Sequence, residues 1–216
     1  MDQHITANLL ETGSDELGRF ALEECIKRHR VEREVSVLLT PAGRCGLAIK
    51  FARLGAKVTI ADRDDMQQEV SGRALAAGFG DNISFVPSGN ITDTCALEGE
   101  RFDIIFLRRG LCSLPYEEAR AAVRQLLQKL KIGGKLYTSV FGLHSELGHG
   151  YGAAELPIQQ RYEPLATPVA TKYELHDPLC LYTERNLFML LLEAGASVLR
   201  TLTTTYGNVQ GIAVRV

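Results

Sequence analysis

The chain has 216 residues, 45% of them hydrophobic and 23% charged, a balance that supports one folded domain with its own core and argues against disorder. Its 24 basic and 26 acidic side chains leave a formal charge of −2, which weighs against the broad basic surface that nucleic acid or an anionic membrane demands. The five cysteines (Cys25, Cys45, Cys95, Cys112, Cys180) are odd in number and widely spread, without C-x-x-C spacing, so neither a disulfide framework nor a zinc ribbon is expected. No apolar run reaches the ~18 residues of a membrane helix. The N-terminus lacks the basic-then-apolar plan of a secretory signal. The expectation is a soluble, cytoplasmic protein of a reducing compartment, with no nucleic acid and no membrane as partner. Its oligomeric state, a homodimer included, is left open.

In chain order, residues 1–34 are helical in pattern, with Leu17, Phe20, Ala21 and Ile26 on one face and Ser14 or Asp15 as cap. A short apolar run, Val35 to Leu39, predicts a buried parallel strand. Gly43 to Leu54 follows as a helix with Leu47, Ala48, Phe51 and Ala52 inward. Strands are predicted at Lys57–Ala61, Ile83–Val86, Phe102–Leu107 and Leu136–Phe141, and helices at Asp65–Ala77 and Tyr116–Lys131. Gly133-Gly134 is expected to end the latter helix. Residues 142–180 break the rhythm and read as a lid or binding segment. Thr183 then caps a last helix, and Ser197–Leu202 with Gly211–Val216 predicts a closing hairpin. The alternation implies a single α/β domain: a doubly wound, mostly parallel seven-stranded sheet with an antiparallel C-terminal hairpin and helices on both faces. Its divisions are a helical cap (1–34), a core (35–141), a lid (142–180) and a final helix and hairpin (181–216).

In such sheets ligands bind outside the carboxyl ends of the strands. The first strand runs into Thr40-Pro41-Ala42-Gly43-Arg44-Cys45-Gly46, a small-residue turn that lets backbone amides approach a ligand. Asp62, at the end of the second strand, follows Gly43 by 19 residues, close to the ~20-residue offset at which an acid accepts hydrogen bonds from ribose hydroxyls. A turn acid capping the next helix is the other reading of Asp62. The turn, strand and helix at this spacing favour the nucleoside reading.

Residues 35–141 resemble the class I S-adenosylmethionine-dependent methyltransferases. The resemblance rests on ARLGAKVTIAD, on FDII followed by LP-x-EE and a helix, on LKIGGKLYTSVF, and more loosely on LYTERNLFMLLLEAGASVLRTL. It implies S-adenosylmethionine as cofactor. Thr40 and the turn Pro41, Ala42, Gly43 and Cys45 would underlie its methionine part. Asp62 would bind the ribose, Arg63 would flank the adenine, and Asn90 and Ile91 would meet the adenine edge and face. Leu107 and Arg108, with Arg109, would face the methionine end and the transferred methyl.

The sequence departs from the family's turn: Leu39 replaces its acid, Pro41 its first glycine and Cys45 its third. Cys112-Ser113 stands where many small-molecule relatives carry two histidines, and no Asn/Asp-Pro-Pro-aromatic signature follows the fourth strand. The expected acceptor is a small molecule. If its nucleophile needs a base, His144, His149, Tyr151 and His176 are the candidates, histidine being the group that titrates near neutrality. His176-Asp177-Pro178 also reads as a simple turn, and no metal site is expected from the histidine spacing. Arg108-Arg109 suits a carboxylate or phosphate on the acceptor, or else a surface pair or an ion pair to Glu117 or Glu118. The alternative function is a methyltransferase-fold regulator, without catalysis, that binds a nucleoside-like ligand or a protein. A nicotinamide-dependent oxidoreductase is a third reading, disfavoured by the Gly-Gly turn and the terminal hairpin.

Overall fold

The computed structural model describes residues 16–32, 34–43, 45–89, 97 and 99–216. The strands are β1 (Ser36–Thr40), β2 (Lys57–Asp62), β3 (Ile83–Pro87), β4 (Phe102–Arg108), β5 (Leu130–Val140), β6 (Ser197–Thr203) and β7 (Val209–Val214). The helices are α1 (Glu16–His29), α2 (Gly46–Arg53), α3 (Gln67–Ala76), α4 (Tyr116–Lys129), α5 (Thr167–Tyr173) and α6 (Glu184–Glu193). One sheet runs in the order β3-β2-β1-β4-β5-β7-β6. β1 to β5 are parallel, and β7 inserts antiparallel between β5 and β6. The alternation of apolar runs predicts this fold class.

The strand composition follows from burial on both faces. On one face Val37, Leu39, Val58, Ile60, Ile104 and Phe106 pack under α1, α2 and α3. On the other, Leu38, Ile105, Leu107, Leu136 and Val140 pack under α4 and α6. Thr183 caps α6 as its sequence predicts: its hydroxyl accepts the Asn186 amide (3.2 Å) while the Asn186 carboxamide accepts the Thr183 amide (3.0 Å). Gly211 lets α6 lie close on β7, since a Cβ there would stand 2.9 Å from Leu191.

One expectation is corrected. α4 ends at Lys129, and Gly133-Gly134 does not cap it. Leu130 is already extended, and the two glycines lie inside β5, where the pairing with β4 shifts register. Gly133 has φ +76°, and a Cβ on Gly134 would meet the Lys131 carbonyl at 2.8 Å. Residues 142–180 form a packed layer. Leu147, Tyr151, Ala153, Leu165 and Tyr173 join the core on the α4 and α6 side, and α5 lies within the segment.

At the amino edge of the sheet a buried ionic network holds α1 in place. The Asp103 carboxylate, wholly buried, accepts the Ser36 amide (2.8 Å), Arg28 (3.3 Å) and Lys131 (2.7 Å). Arg28 also binds Glu24 (3.0 Å) and the Gly133 carbonyl (2.5 Å), and Glu24 takes Lys135 (2.6 Å). α1 therefore runs antiparallel to β4 and β5: Glu24 meets Lys135, and further toward its start Phe20 lies 5.0 Å from the Arg200 guanidinium of β6. Removing one member of such a network leaves buried charge uncompensated. Asp103→Ala is expected to lower stability by about 3–5 kcal/mol, read from the denaturant midpoint.

Candidate functional site

β1 leads outward to β2 and β3, whereas β4 and β5 lie on its other side, so the switch point falls between the carboxyl ends of β1 and β4. The loop leaving β1 buries Ala42 and Cys45 and leaves Pro41 and Gly43 exposed, with Thr40 half-buried. Gly43 has φ +53° and open space where a Cβ would stand. Cys45 takes φ +55° immediately before α2, and its carbonyl accepts the Ile49 amide (3.0 Å). Left-handed backbone at a non-glycine residue is strained and gathers at functional sites. Among the described residues Arg109 on this edge is left-handed too, φ +61°.

Asp62 ties three strand ends together. One carboxylate oxygen accepts the Ala42 amide (2.8 Å), the other accepts the Arg63 amide (2.8 Å), and the Asp62 carbonyl accepts the Ser88 amide (2.8 Å). Each carboxylate oxygen has a second lone pair. Arg63 is exposed and pairs with Asp65 (3.1 Å). Asn90 and Ile91 lie outside the described residues.

At the exit of β4, the Leu107 side chain is wholly buried in the core, leaving only its backbone at the edge. The Arg108 guanidinium lies 5.2 Å over the Phe106 ring, and Arg109 lies 5.6 Å from the Phe141 ring. Glu117 pairs with Arg120 on its own helix. Cys112 is a buried framework residue: its sulfur accepts the Phe141 amide (3.0 Å) and its carbonyl accepts the Cys180 amide (2.8 Å).

The candidate bases separate. His144, His149 and His176 are exposed. Tyr151 is buried, and its hydroxyl donates to the Leu179 carbonyl (2.6 Å) and accepts the Glu163 amide (3.3 Å). Desolvation pushes its pKa up to about 12, so the group is committed to framing the 142–180 layer. Beside His149, Glu146 bonds Lys172 and Tyr173 (2.5 Å), and these hydrogen bonds hold its carboxyl below the ordinary range. Among the described residues no group of three His, Cys, Asp or Glu side chains is placed to hold a metal. No described helix is long and apolar enough to cross a membrane.

Sequence reasoning passed over Ser139 and Gln210, which are buried at the carboxyl end of β5 and the start of β7. The available signal was a polar residue inside a strand that both faces bury.

No family model matches the chain, and no curated protein matches it. Solved structures do. An O-methyltransferase family protein from Burkholderia thailandensis superposes with a TM-score of 0.64 at 16% identity, over 92% of this chain and 56% of that one. A protein described as a SAM-dependent methyltransferase from Methanosarcina mazei gives 0.64 at 20% identity, over 88% of this chain and 97% of that one. The 1,6-didemethyltoxoflavin-N1-methyltransferase of Burkholderia thailandensis, solved with its substrate and S-adenosylhomocysteine, gives 0.63 at 20%, over 94% and 79%. The chain thus spans little more than half the length of the O-methyltransferase family protein. At these identities the likeness establishes the fold, which is that of the class I S-adenosylmethionine-dependent methyltransferases.

Two measurements check the site. Tyr151→Phe removes a hydroxyl that serves two backbone groups and is expected to cost about 1–3 kcal/mol in thermal or denaturant unfolding. Cys25 and Cys180, whose thiols burial pushes to about 11 from an ordinary 9.0, carry roughly a hundredfold less thiolate than exposed cysteines. Peptide mass spectrometry should find their alkylation at least that much slower in the folded protein than in the unfolded chain.

Proposed function

We propose that this chain binds S-adenosylmethionine at the carboxyl ends of β1, β2 and β4 and transfers its methyl group to a small molecule. The observation that carries the reading is the placement of Asp62. Its carboxylate stands at the edge of β2, fixed by two amides, next to an exposed glycine with open space around it. A ribose with two adjacent hydroxyls can donate to the acceptor positions that remain.

Asp62 at its strand end supports the adenosine half of the reading. Asp62 would hold the ribose, Arg63 would flank the adenine, and Asn90 and Ile91 would meet its edge and face. The amino-acid half would meet Thr40, the backbone of Pro41, Ala42, Gly43 and Cys45, and the Leu107 backbone, with Arg108 facing the transferred methyl. Leu39 is buried where the family's acid stands, so β1 offers no carboxylate to an ammonium group. The cofactor supplies an activated methyl; the chain's own work is to hold the acceptor in line and keep water out. α1 and the 142–180 layer would roof the acceptor. An acceptor that is already anionic needs no base. A neutral hydroxyl or amine would draw on one of the exposed His144, His149 or His176. Tyr151 is left out of that role because its hydroxyl already serves two backbone partners.

One observation favours a second reading, the regulator that binds without catalysis: the buried Leu39 and the missing Pro41 amide leave the amino-acid half less supported than the nucleoside half.

Calorimetric titration with S-adenosylmethionine and S-adenosylhomocysteine tests the proposal. Saturable binding of both is expected, with Asp62→Ala weakening it at least about thirtyfold, the scale of hydrogen bonds to a charged group. The absence of binding at millimolar concentration overturns the reading, and saturation by NADH in its place supports the oxidoreductase. Tight nucleoside binding without methyl transfer to any small acceptor supports the regulator.

A further inference from the structure

The last rung of the sheet carries a polar row. Arg108, Ser139 and Gln210 are register partners across β4, β5 and β7, so their side chains share one face. The next row on that face is Phe106, Tyr137 and Ile212, in which the two rings stack with centroids 6.5 Å apart. The Arg108 guanidinium lies over Phe106. Ser139 is 0% exposed and Gln210 1%.

A strand covered on both faces is expected to be apolar, and β5 and β7 break that rule at the rung beside the switch point. The Ser139 hydroxyl is buried with no hydrogen-bond partner among the described residues. Folded proteins avoid this, and at a ligand-binding edge a bound molecule can supply the missing partner. Strands lie about 4.8 Å apart, so the row extends roughly 10 Å from β4 to β7, the length of one substituted ring. Its β4 end is cationic and adjoins the place proposed for the methyl donor; its β7 end is a neutral carboxamide that both donates and accepts.

Resting on the methyltransferase reading above, we propose that Arg108, Ser139 and Gln210 form the acceptor subsite and that the acceptor is a small planar acid. Its anionic group takes Arg108, its ring lies along the edge of the Phe106 and Tyr137 row, and its far polar substituent completes the Ser139 hydroxyl beside Gln210. Arg108 supplies the charge selectivity, and Ser139 and Gln210 set the length.

The test is calorimetry on the full chain saturated with S-adenosylhomocysteine, titrated with matched pairs: salicylate and salicylamide, para-hydroxybenzoate and para-hydroxybenzamide, indole acetate and indole acetamide. At least one acid is expected to bind, about tenfold or more tighter than its amide. Arg108→Met abolishes that preference. Ser139→Ala and the near-isosteric Gln210→Met each weaken the same acid about tenfold while S-adenosylhomocysteine affinity stays within about twofold. Ser139→Ala leaves the unliganded melting temperature unchanged or raised, which a structural hydroxyl would not. If S-adenosylhomocysteine binds but no acid does up to about 10 mM, where even a millimolar ligand saturates, the subsite is overturned. It is equally overturned if amides bind as well as acids, or if the Ser139 and Gln210 variants bind acid like the parent. Failure of S-adenosylhomocysteine itself to bind overturns the methyltransferase reading instead.

Discussion

One carboxylate holds the ligand-facing edge together. Asp62 accepts the amide of the loop leaving β1 through one oxygen and the following amide through the other, while its carbonyl accepts Ser88 beyond β3. The ends of three parallel strands thus converge on a single residue. The loop is held at the distance its hydrogen bond sets, with Cys45 and Ala42 turned into the core and Gly43 left outside. Because the same carboxylate shapes the loop and is the one proposed to hold a ribose, whatever displaces the loop also moves that carboxylate.

The fold was largely legible because its signals are local. Short apolar runs alternating with helical periodicity imply a parallel sheet, and Thr183 announces a helix start by side-chain chemistry alone. The place of Asp62 at the end of β2 beside the β1 loop was legible because a strand end, a small-residue turn and the offset between them all lie within one unit of the chain. Gly133-Gly134 misled for the opposite reason. A glycine pair looks the same whether it ends a helix or sits in a bulge, and the choice was made by Phe102 and Arg215, far away in sequence.

The site divides in the same way. The role of Tyr151 depends on Leu179 and Glu163, which only the folded 142–180 layer brings to its hydroxyl. The row of Arg108, Ser139 and Gln210 draws on three strands, one of them antiparallel, and its register is invisible until the hairpin has inserted β7 beside β5. Isolated polar residues in apolar runs were present in the sequence; their alignment was not.

The bulge in β5 has a mechanical consequence. The Gly133 amide donates to the Arg215 carbonyl, the Gly134 carbonyl accepts the Arg215 amide, and the Gly133 carbonyl receives the Arg28 guanidinium. The first described helix and the residue after the last strand are therefore buckled to the same two glycines. The amino rim therefore fastens the start and the finish of the described fold to one point of the sheet.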